Sequence, residues 1–126
     1  MQFGKWKITE RSGKSREGGN WWQQLRIRTS MTIGGTGCFL EEGVILSDWN
    51  TDSQGNKSEN THKGYHYVSL MRLNEQIYFA FRHKIGWRVL SDDALTYVKD
   101  YKTRKEAVTD LIKKAYKIGE AKIHLN

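Results

Sequence analysis

The chain lacks the residues that several protein classes require. Its one cysteine, Cys38, excludes an internal disulfide and, without further thiols, a cysteine-based zinc site, and we expect it to be a buried or semi-buried thiol. No apolar run approaches the roughly 18 residues that a membrane-spanning helix needs, and Met1 to Lys5 do not open the apolar segment of a secretory signal. We therefore expect a cytoplasmic protein that does not associate with membranes.

Composition and length indicate a single folded domain over residues 1–126. Hydrophobic residues make up 37% and aromatic residues 12% of the chain, which is enough apolar surface for one modest core. Proline is absent and no internal repeat is visible. Two polar segments, 12–20 and 50–64, are rich in glycine, serine and asparagine and are predicted as loops. Neither is long enough to separate two domains.

Positive charge is unevenly distributed along the chain. Lysine and arginine outnumber aspartate and glutamate by 21 to 14, which gives a net charge of +7. Residues 1–36 carry +5, residues 37–61 carry −4, residues 62–100 carry +2 and residues 101–126 carry +4. A basic protein with one acidic segment orients an approaching polyanion as well as attracting it. The charge serves solubility equally well, so by itself it assigns no partner.

Polar and apolar residues alternate along much of the chain, which predicts β-strands. The clearest example is Trp21 to Ile33, in which the odd positions are mostly apolar. The other predicted strands are Lys5–Arg11, Phe39–Leu46, Tyr65–Leu73, Gln76–Lys84 and Trp87–Leu90. Because no helical stretch separates them, we predict an antiparallel sheet of about five or six strands.

The C-terminal segment predicts one helix over residues 104–118. Thr103 and Glu106 have the spacing of a capping box at its start, and Gly119 is a suitable stop. Its apolar stripe consists of Ala107, Val108, Leu111, Ile112, Ala115 and Ile118. This stripe needs an apolar partner, so we predict an α+β fold in which the helix covers one face of the sheet. Residues 121–125 are predicted as a further edge strand.

Side chains of the opposite parity would face away from the helix, and most of them are basic or aromatic. The predicted site residues are Lys5, Lys7, Arg11, Trp22, Arg26, Arg28, Tyr78, Arg82, Lys84 and Arg88. Cationic groups neutralise phosphates and aromatic rings stack on bases, so this set favours single-stranded nucleic acid. Trp22 is the most informative member, because a large exposed ring is harder to explain than a charge. Its neighbour Trp21 is predicted in the core.

Two other interpretations of this surface stay open. Basic side chains also alternate with apolar ones in half-buried strands because their long stems cover apolar surface. Tryptophan and arginine are also enriched at protein interfaces. The leading hypothesis is a non-enzymatic nucleic-acid-binding module. The alternative is a small protein-interaction or inhibitor domain, such as a phage or other mobile element encodes, that binds a protein partner.

Metal and catalytic motifs in the sequence are incomplete. The calcium-loop spacing is followed by Asp48, Asn50, Asp52 and Glu59, but Ser53 replaces the glycine of the sharp turn. On a strand, His62 and His66 would lie too far apart to share a zinc ion. The glycine-rich segment 33–37 lacks the lysine of a phosphate loop. We therefore predict no metal, no cofactor and no enzymatic activity, and a calcium site in the 48–59 loop stays an alternative.

Overall fold

Nine strands and one C-terminal helix make up the described part of the chain. The computed structural model describes residues 2–3, 6–14, 20–52, 54–59, 62–73, 75–91 and 97–124, and for residues 2, 3, 6, 14, 22, 29 and 121–124 it describes the backbone alone. The elements are β1 (Gln2–Phe3), β2 (Trp6–Lys14), β3 (Asn20–Ile33), β4 (Cys38–Thr51), β5 (Lys57–Glu59), β6 (His66–Arg72), β7 (Glu75–His83), β8 (Gly86–Ser91), β9 (Tyr97–Tyr101) and α1 (Arg104–His124).

The strands form one antiparallel sheet in the order β1-β2-β3-β4-β6-β7-β8-β9. The long strand β4 pairs with β6 along Cys38–Val44 and with β5 along Trp49–Thr51. The predicted antiparallel α+β class is confirmed, but the sheet has more strands than predicted. The additional strands are β1, β5 and β9, which are too short to show an alternating pattern, and β5 lies inside a segment predicted as a loop.

The helix begins where the sequence predicts and ends later. It runs from Arg104 to His124, so the predicted end at residue 118 is wrong, as is the predicted strand at 121–124; residue 125 lies outside the described residues. Gly119 continues the helix instead of ending it. A side chain there would place its Cβ 3.2 Å from the Cα of Thr36, so glycine allows the helix to approach the β3–β4 turn. Within the described ranges, no helix is both long and apolar enough to cross a membrane.

One face of the sheet, which we term the helix face, packs against α1 as predicted. From the helix, Ala107, Leu111 and Ala115 are fully buried. The sheet contributes Ile33, Cys38, Leu40, Val68, Leu70, Ala80, Trp87 and Val89. Cys38 is a free thiol that is only 1% exposed, which agrees with its predicted role as a small buried apolar residue.

The opposite face, which we term the inner face, carries a second apolar core. Its buried members are Leu25, Ile45, Tyr67, Phe79 and Phe81, none of which is more than 3% exposed. The prediction that this face is open to solvent is therefore wrong. Because no helix among the described residues covers it, the sheet itself must curl around the cluster. A long sheet can curl in this way where bulges and glycines interrupt regular pairing.

Strand β3 changes its buried face at Arg28. Its pairing with β4 shifts by one residue between Ile27 and Thr29, which leaves Arg28 as the extra residue of a bulge. Before the bulge, Leu25 packs in the inner core; after it, Ile33 packs in the helix-face core. One alternating sequence run therefore serves two cores, whereas simple alternation predicts a single face for the whole strand.

Gly43 permits the close approach of β3 and β4 beside this bulge. A Cβ at Gly43 would lie 1.8 Å from the backbone oxygen of Arg26 and 3.0 Å from the Tyr67 hydroxyl. We expect Gly43→Ala to lower the free energy of unfolding by about 3 kcal/mol, because backbone must move to relieve the overlap. Chemical denaturation measures the change.

Gly34→Ala is the matched control for this prediction. Gly34 has nothing within 4 Å of its ideal Cβ position. Its substitution should therefore change the free energy of unfolding by no more than about 0.5 kcal/mol. Equal effects of the two substitutions would show that the contact at Gly43 does not shape the sheet.

Candidate nucleic-acid interface

Strand register divides the predicted site residues between the two faces of the sheet. Side chains of directly paired residues point to the same face. Lys7 pairs with Ile27 and Arg11 pairs with Gln23, which places both cations on the inner face. Arg26 pairs with Ile8 and with Val44, which places it on the helix face. The prediction that these cations share one face is therefore wrong, because parity within one strand does not reveal its register with the next.

Two of the cations on the inner face are engaged in ion pairs. The guanidinium of Arg11 lies 2.8 Å from the carboxylate of Glu41. Arg88 donates two hydrogen bonds to Asp100, at 2.9 and 3.2 Å. The pKa of the Asp100 carboxyl is lowered, first by this hydrogen bond from Arg88. Both arginines therefore stabilise carboxylates of the fold.

Of three further predicted residues, Tyr78 does not lie on an open face, and Lys5 and the side chain of Trp22 lie outside the described residues. Tyr78 points to the helix, where its ring packs against the helix-face core and lies 5.1 Å from the Lys114 ammonium. Lys5 lies outside the described residues. Trp22 has its backbone in β3, opposite Ser12 and Trp49, and its side chain lies outside the described residues. Tyr78 is thus not part of an open aromatic platform, and the prediction for the Trp22 ring stays a prediction. Trp21, by contrast, is buried as predicted.

Part of the predicted set, Arg26, Arg28 and Arg82, converges with further residues at one end of the helix face. Arg26 pairs with Val44, and Val44 pairs with His66. Across β7, β8 and β9, Arg82 pairs with Trp87 and Trp87 pairs with Tyr101. His66 and Arg82 are both exposed, so α1 leaves this end of the face uncovered. With strands about 4.8 Å apart, the row from Arg26 to Tyr101 is about 24 Å long, measured along the curled sheet.

A cavity of about 300 Å³ lies at the centre of this row, and we term it the arginine cavity. It is lined by Arg28, Glu42, Gly43, His66, Tyr67, Arg82, Trp87 and Arg104. Three of these side chains are arginines from separate elements, β3, β7 and α1. Among the described residues that line it, Glu42 is the one acid, and it forms an ion pair with Arg104. The lining is therefore positively charged.

The capping box holds the first turn of α1 beside this cavity. The Glu106 amide donates to the Thr103 hydroxyl at 3.2 Å, as predicted. The Thr103 hydroxyl in turn donates to the Glu106 carboxylate at 3.0 Å. Arg104, the first residue of α1, lies at the positive end of the helix dipole, which adds to the attraction of an anion.

The residues of the calcium-loop spacing have other roles in the structure. Asp48 is buried, and its Oδ2 lies 2.8 Å from Nδ1 of His62, within hydrogen-bonding distance. Asp52 accepts hydrogen bonds from the amides of Gln54 and Asn56, and the Asn56 amide is the main cause of its lowered pKa. In the part of the chain that the structure describes, no three His, Cys, Asp or Glu side chains gather as metal ligands.

Sequence reasoning missed four residues of the interface: His66, Trp87, Tyr101 and Arg104. In the sequence, His66 stands out only as a candidate zinc ligand, and Trp87 only as part of a predicted strand. Arg104 had a usable signal, because the capping box placed it at the exposed start of a helix. The others come together only through the register of β6 to β9.

Comparison with known proteins provides no relative from which to transfer a role. No protein-family model, curated protein or solved structure matches this chain. The interpretation of the site therefore depends on its geometry.

His83 makes the stability of the fold sensitive to mild acid. Its pKa is lowered, first by burial and then by the positive charges of Arg88 and Lys84. As the pH falls through the ordinary value of 6.5, the unfolded chain takes up a proton that the folded chain resists. Stability should therefore fall with pH in this range and level off below the folded pKa.

We expect His83→Gln to remove this component of the pH dependence. Urea denaturation of both proteins between about pH 8 and about pH 5 measures it as a difference in the free energy of unfolding. A wild-type decline that persists unchanged in the variant would assign the effect to another group.

Proposed function

We propose that this chain is a non-enzymatic module that binds nucleic acid, preferentially single-stranded, through phosphates held at the arginine cavity. The observation that carries this proposal is the convergence of Arg28, Arg82 and Arg104 from three separate elements on one cavity. Guanidinium groups bind phosphate in a bidentate fashion, and their fixed fork suits a site built on rigid elements. The net charge of +7 adds a long-range attraction.

The extent of the surface favours a polymer over a small anion. The row that contains the cavity crosses six strands, from β3 to β9, and its length of about 24 Å exceeds that of a single phosphate or carboxylate ligand. A single-strand site commonly accommodates about four or more nucleotides. Two aromatic residues lie in the same row: Tyr101, which is half-buried and can contact a base, and Trp87, of which only a small part is exposed. Because paired bases are hidden in a duplex, such contacts favour a single strand.

Arg82→Ala tests the phosphate contacts. Arg82 is exposed and lines the arginine cavity, so its truncation should leave the fold intact. We expect weaker binding to single-stranded oligonucleotides of any sequence, and a plot of log affinity against log salt that is less steep by about one unit. Fluorescence anisotropy at several salt concentrations measures both.

Arg72→Ala is the matched control for Arg82→Ala. Arg72 is also a partly exposed arginine at the end of a strand, but it lies at the opposite end of β6, near Glu75. Its substitution removes the same charge and should leave the salt slope unchanged. Equal losses in both variants would indicate a nonspecific response to net charge and would contradict a site at the arginine cavity.

Glu42→Gln should have the opposite effect. Glu42 pairs with Arg104 and repels phosphates from the cavity, so neutralising it should strengthen oligonucleotide binding by about two- to fivefold. Glu59→Gln, an exposed acid on β5, serves as the control and should change affinity little. Weaker binding by Glu42→Gln would contradict this prediction and show that the ion pair is needed to position Arg104.

A protein partner is the second candidate function. The observation that favours it is the exposure of Tyr97 and Val98, at 57% and 37%, on β9, the last strand of the sheet path. An exposed edge strand can pair with an extended segment of another protein. Affinity capture from extract with and without nuclease separates the two functions. A partner protein that is retained after digestion favours this second candidate, whereas loss of bound material on digestion favours nucleic acid.

A further inference from the structure

A second cavity, of about 470 Å³, lies at the tip of the β7–β8 hairpin, and we term it the hairpin-tip cavity. Its walls come from the hairpin turn and from the end of β9, where the chain leads into α1. Its volume falls within the range of small-molecule sites, which is about 300 to 1,000 Å³. It is therefore large enough for a nucleoside.

Two aromatic residues are among those that line this cavity: Tyr101, which is half-buried, and Trp87, which is 7% exposed. Trp87 and Tyr101 are directly paired across β8 and β9, so they lie side by side on one face. A hydrogen bond between Tyr101 and Asp110 of α1 holds the tyrosine in place. A Cβ at Gly86 would lie 2.5 Å from the Tyr101 backbone oxygen, so the hairpin packs closely on β9. Tyr101 is therefore held in position at the wall of the cavity.

Two lysines give the cavity its positive charge. Lys84 and Lys102 are exposed and lie in its lining. Lys84 has a φ of 54°, a left-handed conformation in the hairpin turn that a non-glycine residue seldom adopts. The neighbouring Arg88 and Asp100 neutralise each other through their ion pair. The lysines therefore favour a ligand that carries both a ring and a negative charge.

The two cavities share one residue. Trp87 lines the arginine cavity and the hairpin-tip cavity. A nucleic-acid strand whose phosphates lie on the arginines can therefore continue past Trp87 into the second cavity. This continuity connects the second cavity to the proposed function.

We propose that the hairpin-tip cavity binds a single unpaired nucleotide, with its base against Tyr101 and the exposed part of Trp87 and its phosphate between Lys84 and Lys102. This proposal rests on the proposed function. It specifies where one nucleotide with its base binds, which the proposed function leaves unassigned. A base held in a duplex cannot enter the cavity, so the site selects single strands.

Titration of the ¹⁵N-labelled protein with adenosine monophosphate, ribose 5-phosphate and inorganic phosphate tests this proposal. We expect saturable shifts of the backbone amide signals of Gly86 and Lys102 with the nucleotide, and much smaller shifts with the two ligands that lack a base. No shift at the hairpin with the nucleotide would overturn the proposal. Equal binding of all three ligands would overturn the role of the rings.

Lys84→Gly is the most informative variant, because glycine keeps the left-handed turn while removing the ammonium group. We expect adenosine monophosphate to bind about tenfold more weakly, as for the loss of one charge-assisted hydrogen bond. Lys102→Gln should weaken binding similarly without changing the turn. Lys117→Ala, on the exposed surface of α1, is the control and should bind as the wild type does. Unchanged binding by both cavity variants would overturn the proposal.

Failure of this proposal is distinguishable from failure of the proposed function. If Arg82→Ala weakens oligonucleotide binding but the nucleotide causes no shift at the hairpin, the second cavity is excluded and nucleic-acid binding stands. If the nucleotide binds but no oligonucleotide does, the chain is a mononucleotide-binding protein and the proposed function is wrong.

Discussion

The close contact of β3 and β4 at Gly43 is the constraint on which the rest of the structure depends. Without a Cβ at this position, the Arg26 carbonyl approaches the β4 backbone, and the neighbouring bulge at Arg28 turns β3 from one face to the other. Each of the two cores receives one half of β3 in consequence. A small sheet that buries both faces gains more apolar contact than a flat sheet covered by one helix.

Burial of both faces also decides where the positive charge can lie. An unpaired cation is costly in either core, so exposed arginines and lysines are restricted to the ends and edges of the sheet. Arg11 reaches the inner face only with Glu41 as its partner. At the open end of the helix face, by contrast, Arg82 is exposed beside Arg104 and the start of α1. The concentration of positive charge at this end of the helix face therefore follows from the packing of the two cores.

Under the proposed function, the two cavities contribute differently to the recognition of nucleic acid. The phosphate contacts proposed for the arginine cavity should depend strongly on salt and carry no base information. The ring contacts proposed for the hairpin-tip cavity should depend little on salt and need an unpaired base. Trp87, which is buried at 7% exposure, separates the two and belongs to the helix-face core. A binding surface supported by the core in this way keeps its shape without a ligand, so little entropy is lost on binding.

The sequence alone determined the features that depend on residues close together along the chain. It predicted the start of α1 from the Thr103–Glu106 capping box, the antiparallel strands from their alternation, and the burial of Trp21 and Cys38. Only the tertiary structure decided the register of the strands, the continuation of α1 through Gly119, and the faces on which Lys7, Arg11 and Tyr78 lie. The physical reason is that a shift of one residue in strand pairing reverses every side chain beyond it, and that shift is set by contacts between distant segments.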